Sequence, residues 1–230
     1  MQAHSRPVVT GQPSGPHPLF LDRLAPDIRA SFVARAARRR FEAGALIVHE
    51  GETSSGLFVT VSGLVKVFKT SVNGRGQTLR YAPPNSSFNE ITVLDGGSSP
   101  ANAEAVVATE VIVFSRQLLL ELMDVDPQVS HALMDSLAGL YRHLMALVED
   151  LSFLHVSERI ARVLLQSLSP HPGLGAGVDM QRRPTQTDIA EMIGSSREVV
   201  GRALRAFEDA GAIRIDHGSI VLVDVTKLEV

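Results

Sequence analysis

Seven leucines constrain this chain more than any other feature. Leu133, Leu137, Leu140, Leu144, Leu147, Leu151 and Leu154 are separated by 4, 3, 4, 3, 4 and 3 residues. That alternation keeps an apolar side chain on one stripe of an α-helix through three heptads. A stripe confined to the a and d positions is the seam of a left-handed coiled coil, whereas a helix packed on its own domain shows a broader apolar face. The spacing predicts a long helix over 127–154 that pairs with a second copy of itself. Each leucine closed into such a seam contributes about 1.5–3 kcal/mol, so the expectation is a tight homodimer.

The segments before this helix follow a different pattern. Residues 1–18 are rich in Gly and Pro and read as a flexible tail. Leu19 to Arg40 reads as a helix with Ile28, Phe32, Val33 and Ala36 on one face. It would end at Arg38-Arg39-Arg40, where cations suit a helix C-terminus. From Phe41 to Phe114 short β-branched runs alternate with glycine-marked turns: Leu46–Val48, Leu57–Val61, Leu64–Lys69, Thr78–Tyr81, Val106-Val107 and Val111–Phe114. Short strands so spaced predict a small antiparallel roll or barrel, an architecture able to enclose one small ligand. Ser115 to Met123 reads as a short helix stopped near Asp126-Pro127.

After the long helix, His155-Val156-Ser157 breaks the heptad and a further helix is expected from Ser157 to Ser169, with Ile160, Val163, Leu164 and Leu168 inward. Ser169 to Gly177 reads as a Pro/Gly loop. Thr185 with Asp188 three residues on resembles a capping box. Ile189, Met192 and Ile193 give the helix it opens an apolar face, and Gly194 suits the turn that ends it. Ser195 or Ser196 would cap the next helix, whose buried stripe is Val199, Val200, Ala203, Leu204 and Phe207. Arg197, Glu198, Arg202 and Arg205 fall on the opposite side. Two short helices joined by a glycine turn make a helix-turn-helix, and Gly211–Ile215 with Ser219–Val223 reads as a hairpin wing. The expected organisation is α+β: a tail over 1–18, an antiparallel β-roll over 19–126, a dimerisation helix over 127–154 and a winged helix-turn-helix over 155–230.

The first turns of the second helix of such a unit enter the major groove. Arg donates two hydrogen bonds to guanine, and Glu accepts from cytosine N4. Arg197, Glu198 and Arg202 are the candidate base readers, and Thr185, Ser196 and Arg205 the candidate phosphate contacts. Charge argues the other way. The whole chain carries a formal net charge of −3, and from Val156 onward nine Lys/Arg face ten Asp/Glu, whereas nucleic-acid-binding domains are generally basic. DNA recognition must come from local arrangement.

Roll, long helix and winged helix-turn-helix, in that order, resemble the cyclic-AMP receptor protein and fumarate–nitrate regulator family of bacterial transcription regulators, over about Leu19 to Val225. The segment Gly194-Ser-Ser-Arg-Glu-Val-Val-Gly-Arg-Ala-Leu204 is similar to that family's recognition helix. The resemblance implies Arg197, Glu198 and Arg202 as base readers, a palindrome of half-sites similar to TGTGA, and RNA polymerase as a partner, with Ser169–Gly177 a candidate surface for it. Val199 stands where the family often has a phosphate-contacting threonine. Gly44, Gly51, Gly56 and Gly63 match the roll's turn glycines, and Phe88-Asn89-Glu90 matches Phe-Gly-Glu.

The sensor departs from the cyclic-nucleotide pattern. Where the family places Arg-Ser or Arg-Thr about ten residues after the Glu, this chain has Pro100-Ala101. The long-helix positions that would meet adenine are Leu144 and Met145. Glu90 either meets a ribose or bonds backbone amides within the roll, and Arg75 or Arg80 could supply charge. Glu90, Asn89, Arg80, Leu144 and Met145 are therefore the candidate effector pocket, with cyclic AMP not the expected effector. Phe-Asn-Glu is also similar to the branch that regulates dissimilatory nitrate respiration, which implies haem sensing of nitric oxide. Its axial ligand would come from His49, His131, His143, His4 or His17.

Composition narrows the alternatives. With no cysteine in the chain, thiol switches, Cys-held zinc and Cys-held iron–sulfur clusters are excluded. No apolar run reaches about 18 residues, and the N-terminus lacks a secretory pattern, so no membrane contact and a cytoplasmic location are expected. An enzymatic, cupin-like roll would need clustered histidines, and the roll holds only His49, so no enzyme is expected. A dimeric ligand-binding module without DNA contact stays open. Replacing Arg197 and Arg202 distinguishes it.

Overall fold

The computed structural model describes residues 21, 24–53, 56–168, 184–216 and 219–228. Helix α1 (Pro26–Arg35) leads into strands β1 (Ala37–Phe41), β2 (Leu46–Val48), β3 (Leu57–Ser62), β4 (Val65–Thr70), β5 (Gly76–Ala82) and β6 (Ser87–Phe88). A short helix α2 (Glu90–Asp95), strands β7 (Asn102–Ala105) and β8 (Thr109–Phe114), helix α3 (Arg116–Val125) and the long helix α4 (Pro127–Phe153) follow. Helices α5 (Val156–Leu168), α6 (Gln186–Ile193) and α7 (Arg197–Asp209), a hairpin of β9 (Ile213–Asp216) and β10 (Ser219–Leu222), and a final 3₁₀ turn complete the described residues.

The eight strands of the roll form two antiparallel four-stranded sheets, ordered β1-β8-β3-β6 and β2-β7-β4-β5. Leu57, Phe58 and Val59 are consecutive and all buried. Successive strand residues point to opposite faces, so the first sheet is covered on both. Phe58, Phe88, Val111 and Val113 face the roll interior, where they meet Val48, Val65, Ala82 and Ala103 of the second sheet. The Phe58 and Phe88 rings stack there with centroids 5.1 Å apart. Leu57, Val59, Ile112 and Phe114 face outward and pack under Phe32, Leu118, Leu119, Leu122, Val129 and Leu133 from the flanking helices.

Three expectations are corrected. The helix expected to run to Arg40 stops at Arg35, and Arg38-Arg39-Arg40 belongs to strand β1. Arg38 and Arg40, two residues apart and so on one face, both bind Glu110 of β8, at 2.8 and 3.0 Å. A shared carboxylate across the ladder outweighs helix propensity. Val106-Val107 is not a strand; the strand lies just before it, at Asn102–Ala105. Its inward residues, Ala103 and Ala105, are small because they sit opposite Val67 and Val65 of β4, and a run lacking large apolar residues hides its strand character. Leu133 belongs to no free seam: it is 1% exposed and lies in its own chain's core.

The long helix otherwise begins and ends near its expected bounds. Asp126 caps its N-terminus by accepting from Gln128 N. Of the remaining heptad leucines, Leu137, Leu140, Leu144, Leu147 and Leu154 are half-buried by their own chain, and Leu151 is exposed. The exposed apolar face of α4 is Met134, Tyr141, Met145 and Val148. It lies one residue from the leucines, a rotation of about 100°.

The expected tail, His4, His17, the Ser169–Gly177 loop and the tip of the wing lie outside the described residues, as does the side chain of Leu168.

Candidate functional site

The helix-turn-helix is assembled by local chemistry. Thr185 and Asp188 close a full capping box: Thr185 Oγ1 accepts from Asp188 N at 3.2 Å, and Thr185 N donates to Asp188 Oδ2 at 2.7 Å. Helix α6 ends at Gly194, whose φ of +65° favours a residue without a side chain. Of the two candidate caps it is Ser196 that acts, its hydroxyl accepting from Val199 N at 3.3 Å. Helix α7 then buries Val200, Leu204 and Phe207 against Ile160, Leu164, Ile189, Ile193 and Ile213. Burial of that stripe sets the helix's rotation, so Arg197, Glu198, Arg202 and Arg205 are all exposed. At 100° per residue the four lie within an arc of about 140°.

The electrostatics of this face are local. The Ser196 hydroxyl donates to Glu198 and, with the first-turn backbone, holds its carboxyl below the usual value; the charges of Arg197 and Arg202 add to this. Glu198 is therefore an ionised acceptor beside two cations, the state in which it can take a hydrogen bond from an amino group. Thr185 is exposed, but its hydroxyl donates to Asp188 Oδ2 at 2.7 Å. A phosphate reaching Thr185 must displace that bond.

The roll interior holds the candidate effector residues. Glu90 is 3% exposed and binds two side chains. Arg80 Nη2 lies 3.3 and 3.2 Å from its two carboxylate oxygens, and the Ser87 hydroxyl donates to it at 2.7 Å. Neither expected partner of Glu90, a ribose or a set of backbone amides, is found there; Arg80 and Ser87 take that role. Asn89 caps α2 with φ of +67°, a conformation in which its family counterpart has Gly. Asn tolerates it, and its side chain donates to Gly56 O and Thr92 Oγ1 at 3.1 and 2.8 Å. Thr78 Oγ1 and Ser99 Oγ are buried without a hydrogen-bond partner. Leu144 is half-buried and Met145 exposed on α4. These two are on a helix whose His143 Nε2 lies 2.8 Å from Leu79 O of β5. Sequence reasoning missed Ser87 and His143 as contacts. Nothing in their spacing marks them, because both partners come from other elements.

The histidines do not fit a haem site. His49 and His131 are exposed, and His143, also exposed, is engaged with Leu79 O. A cavity of about 480 Å³ on α4 is lined by Tyr141, Met145, Val148 and Phe153 among others, with no histidine. No group of three potential metal ligands occurs among the described residues. No described helix is long and apolar enough to cross a membrane.

Comparison with known proteins bears on both halves. Residues 38–126 match the cyclic nucleotide-binding domain, and residues 158–230 match the Crp-like helix-turn-helix domain. The chain is 32% identical over 212 residues to the cyclic AMP receptor protein of Thermus thermophilus, covering 92% of this chain and 95% of that one. It is 30% identical over 190 residues to a CRP-like cAMP-activated global transcriptional regulator of Mycobacterium tuberculosis, covering 82% and 84%. Among solved structures, FixK2 of Bradyrhizobium japonicum superposes with a TM-score of 0.68 at 25% identity, over 84% of this chain and 95% of that one. The c-di-GMP responsive global regulator CLP of Xanthomonas campestris shares the fold, with a TM-score of 0.75 at 22% identity over 86% and 99%.

Proposed function

The chain belongs to the cyclic-AMP receptor protein and fumarate–nitrate regulator family of DNA-binding transcription regulators, and on that premise we propose a homodimer that reads a palindrome of TGTGA-like half-sites. The observation that carries the reading is the exposed arc of α7. Arg197, Glu198 and Arg202 stand clear of the protein at the N-terminal half of a capped helix, which is the part that enters the major groove. Two such helices about 34 Å apart would meet successive half-sites. Ser196 and Arg205 serve the phosphates, and Thr185 serves them on releasing Asp188.

Self-pairing runs through α4. The exposed face of Met134, Tyr141, Met145 and Val148 recurs at 7, 4 and 3 residues, the coiled-coil alternation. In this reading the heptad leucines mainly bind the helix to its own chain, and the seam lies beside them. RNA polymerase is the further partner, by family membership.

The roll is read as a sensor for a small molecule other than cyclic AMP. Pro100 and Ala101 offer no cation or hydroxyl to a cyclic phosphate, and Glu90 is already neutralised by Arg80. Haem sensing of nitric oxide is not favoured, given the positions of the described histidines.

Selection of DNA duplexes from a random pool tests the central reading. The full chain is expected to enrich a palindrome with TGTGA-like arms. Replacing Arg197 and Arg202 together with Ala should remove base preference, each contact being worth about 1–3 kcal/mol of discrimination. Unchanged affinity and unchanged sequence preference in that variant would leave a ligand-binding dimer without DNA contact.

A further inference from the structure

The roll and the helix-turn-helix touch at a place that the family reading does not require. Lys66 of β4 reaches Glu191 of α6 at 3.1 Å, 125 residues away in sequence. Gln77 Nε2 of β5 donates to Met192 O, in the last turn of α6, at 3.2 Å. The backbones approach closely as well. A Cβ on Gly76 would come within 3.0 Å of the Glu191 carboxyl. One on Gly194 would come within 2.7 Å of Gln77 Oε1 and 3.0 Å of Leu151. The β4–β5 hairpin thus seats the end of α6 and the turn after it.

That turn is the one that presents the recognition helix. Gly194 lies two residues before the cap Ser196 and three before Arg197. An α7 inserted N-terminus first into a groove about 12 Å wide carries the flanking phosphate ridges past this turn. The roll occupies that flank. The geometry points to an autoinhibitory latch: β4–β5 holds the helix-turn-helix where DNA cannot engage fully, and binding requires the Lys66–Glu191 and Gln77–Met192 contacts to open. This inference rests on the DNA-binding reading above.

The composition of the contact suits a reversible catch. It is polar and small, as mobile interdomain contacts are. Lys66 also has a second carboxylate, Glu104 on the adjacent strand, at 3.9 Å, and its ammonium sits over the Phe68 ring, 4.7 Å from the centroid. It therefore keeps partners when Glu191 leaves. The same strand reaches inward to the candidate sensor: Arg80, three residues after Gln77, binds Glu90. A ligand that draws Arg80 away from Glu90 acts on the strand that carries the catch.

Because the chain has no cysteine, two can be introduced for labelling. Nitroxides on Val72→Cys at the exposed hairpin tip and Asp209→Cys at the exposed end of α7 report the roll-to-helix distance, with labelled chain diluted into unlabelled. The unreleased protein should give one narrow distance, and adding Gln77→Ala with Glu191→Lys should broaden it. The released protein should also bind the selected duplex about threefold to tenfold tighter, since more of it is competent. An identical distance distribution in both proteins would overturn the latch, whatever the DNA result. A broadened distance with unchanged or weaker DNA binding would overturn its inhibitory role. Absence of DNA binding by every form would overturn the regulator reading, and the inhibition with it, while the distances still report whether the contact forms.

Discussion

Arg80 and Glu90 lie ten residues apart in the chain and meet inside the roll, with Arg80 Nη2 within 3.3 Å of both carboxylate oxygens of Glu90. Glu90 is 3% exposed and the Arg80 side chain 19% exposed, so the pair is largely withdrawn from water. Such a pair is costly to break from one side, because the remaining charge loses both partner and solvent.

Arg80→Met is therefore expected to destabilise the roll by about 3–5 kcal/mol, measured by chemical denaturation. Adding Glu90→Gln should recover most of that loss, since no uncompensated charge remains. Full stability in the single variant would show that water reaches Glu90.

The two serines and threonines of the DNA face separate structural from recognition effects. Ser196→Ala removes the cap of α7 and is expected to cost about 1 kcal/mol of stability. It should weaken binding to all duplexes alike. Arg197→Ala should leave the melting temperature in place and relax sequence preference. Equal loss of stability in both variants would contradict the exposure of Arg197.

Core and seam on α4 are separable in the same way. Leu133→Ala is expected to lower fold stability by about 2–5 kcal/mol without changing the subunit stoichiometry. Tyr141→Glu with Met145→Glu should dissociate the proposed dimer, read by sedimentation, while leaving each subunit folded. Dissociation by Leu133→Ala in a still-folded chain would place the seam on the leucines.

Glu110 gives the roll an acid limit. Hydrogen bonds from Arg38, then Arg40, hold its carboxyl below the ordinary value of 4.5. A lowered folded value contributes stability that is complete above about pH 4.5 and lost as pH falls through the lowered value. Stability measured against pH should show this loss in the parent, and Glu110→Gln should lack that component. An identical acid profile in the two proteins would count against the pairing.

The parts legible in sequence were those set by local rules. The capping box at Thr185, the glycine turn at Gly194 and the stripe Val200–Leu204–Phe207 each depend on residues within one or two turns. The long helix was legible in extent, but its facing was not. The heptad leucines announce one seam, yet a helix laid on a roll must also bury a stripe in its own chain, and spacing does not say which stripe serves which partner. Glu90 was legible as a buried polar site. Its partner was not, because Arg80 and Ser87 are brought to it by strand pairing. Arg38–Arg40 misled for a related reason: the carboxylate that makes β1 a strand stands on β8, 70 residues away.

Strand β5 carries contacts on each side: Gln77 to the helix-turn-helix, Leu79 O to His143 of the long helix and Arg80 to Glu90 within the roll. Strand side chains alternate in direction, so a shift of one residue exchanges every inward position with an outward one. Related chains are then expected to differ over 76–82 by substitution but to keep the length of that stretch. Insertions and deletions should collect instead in the hairpin tip between Ser71 and Arg75, where Val72 is fully exposed.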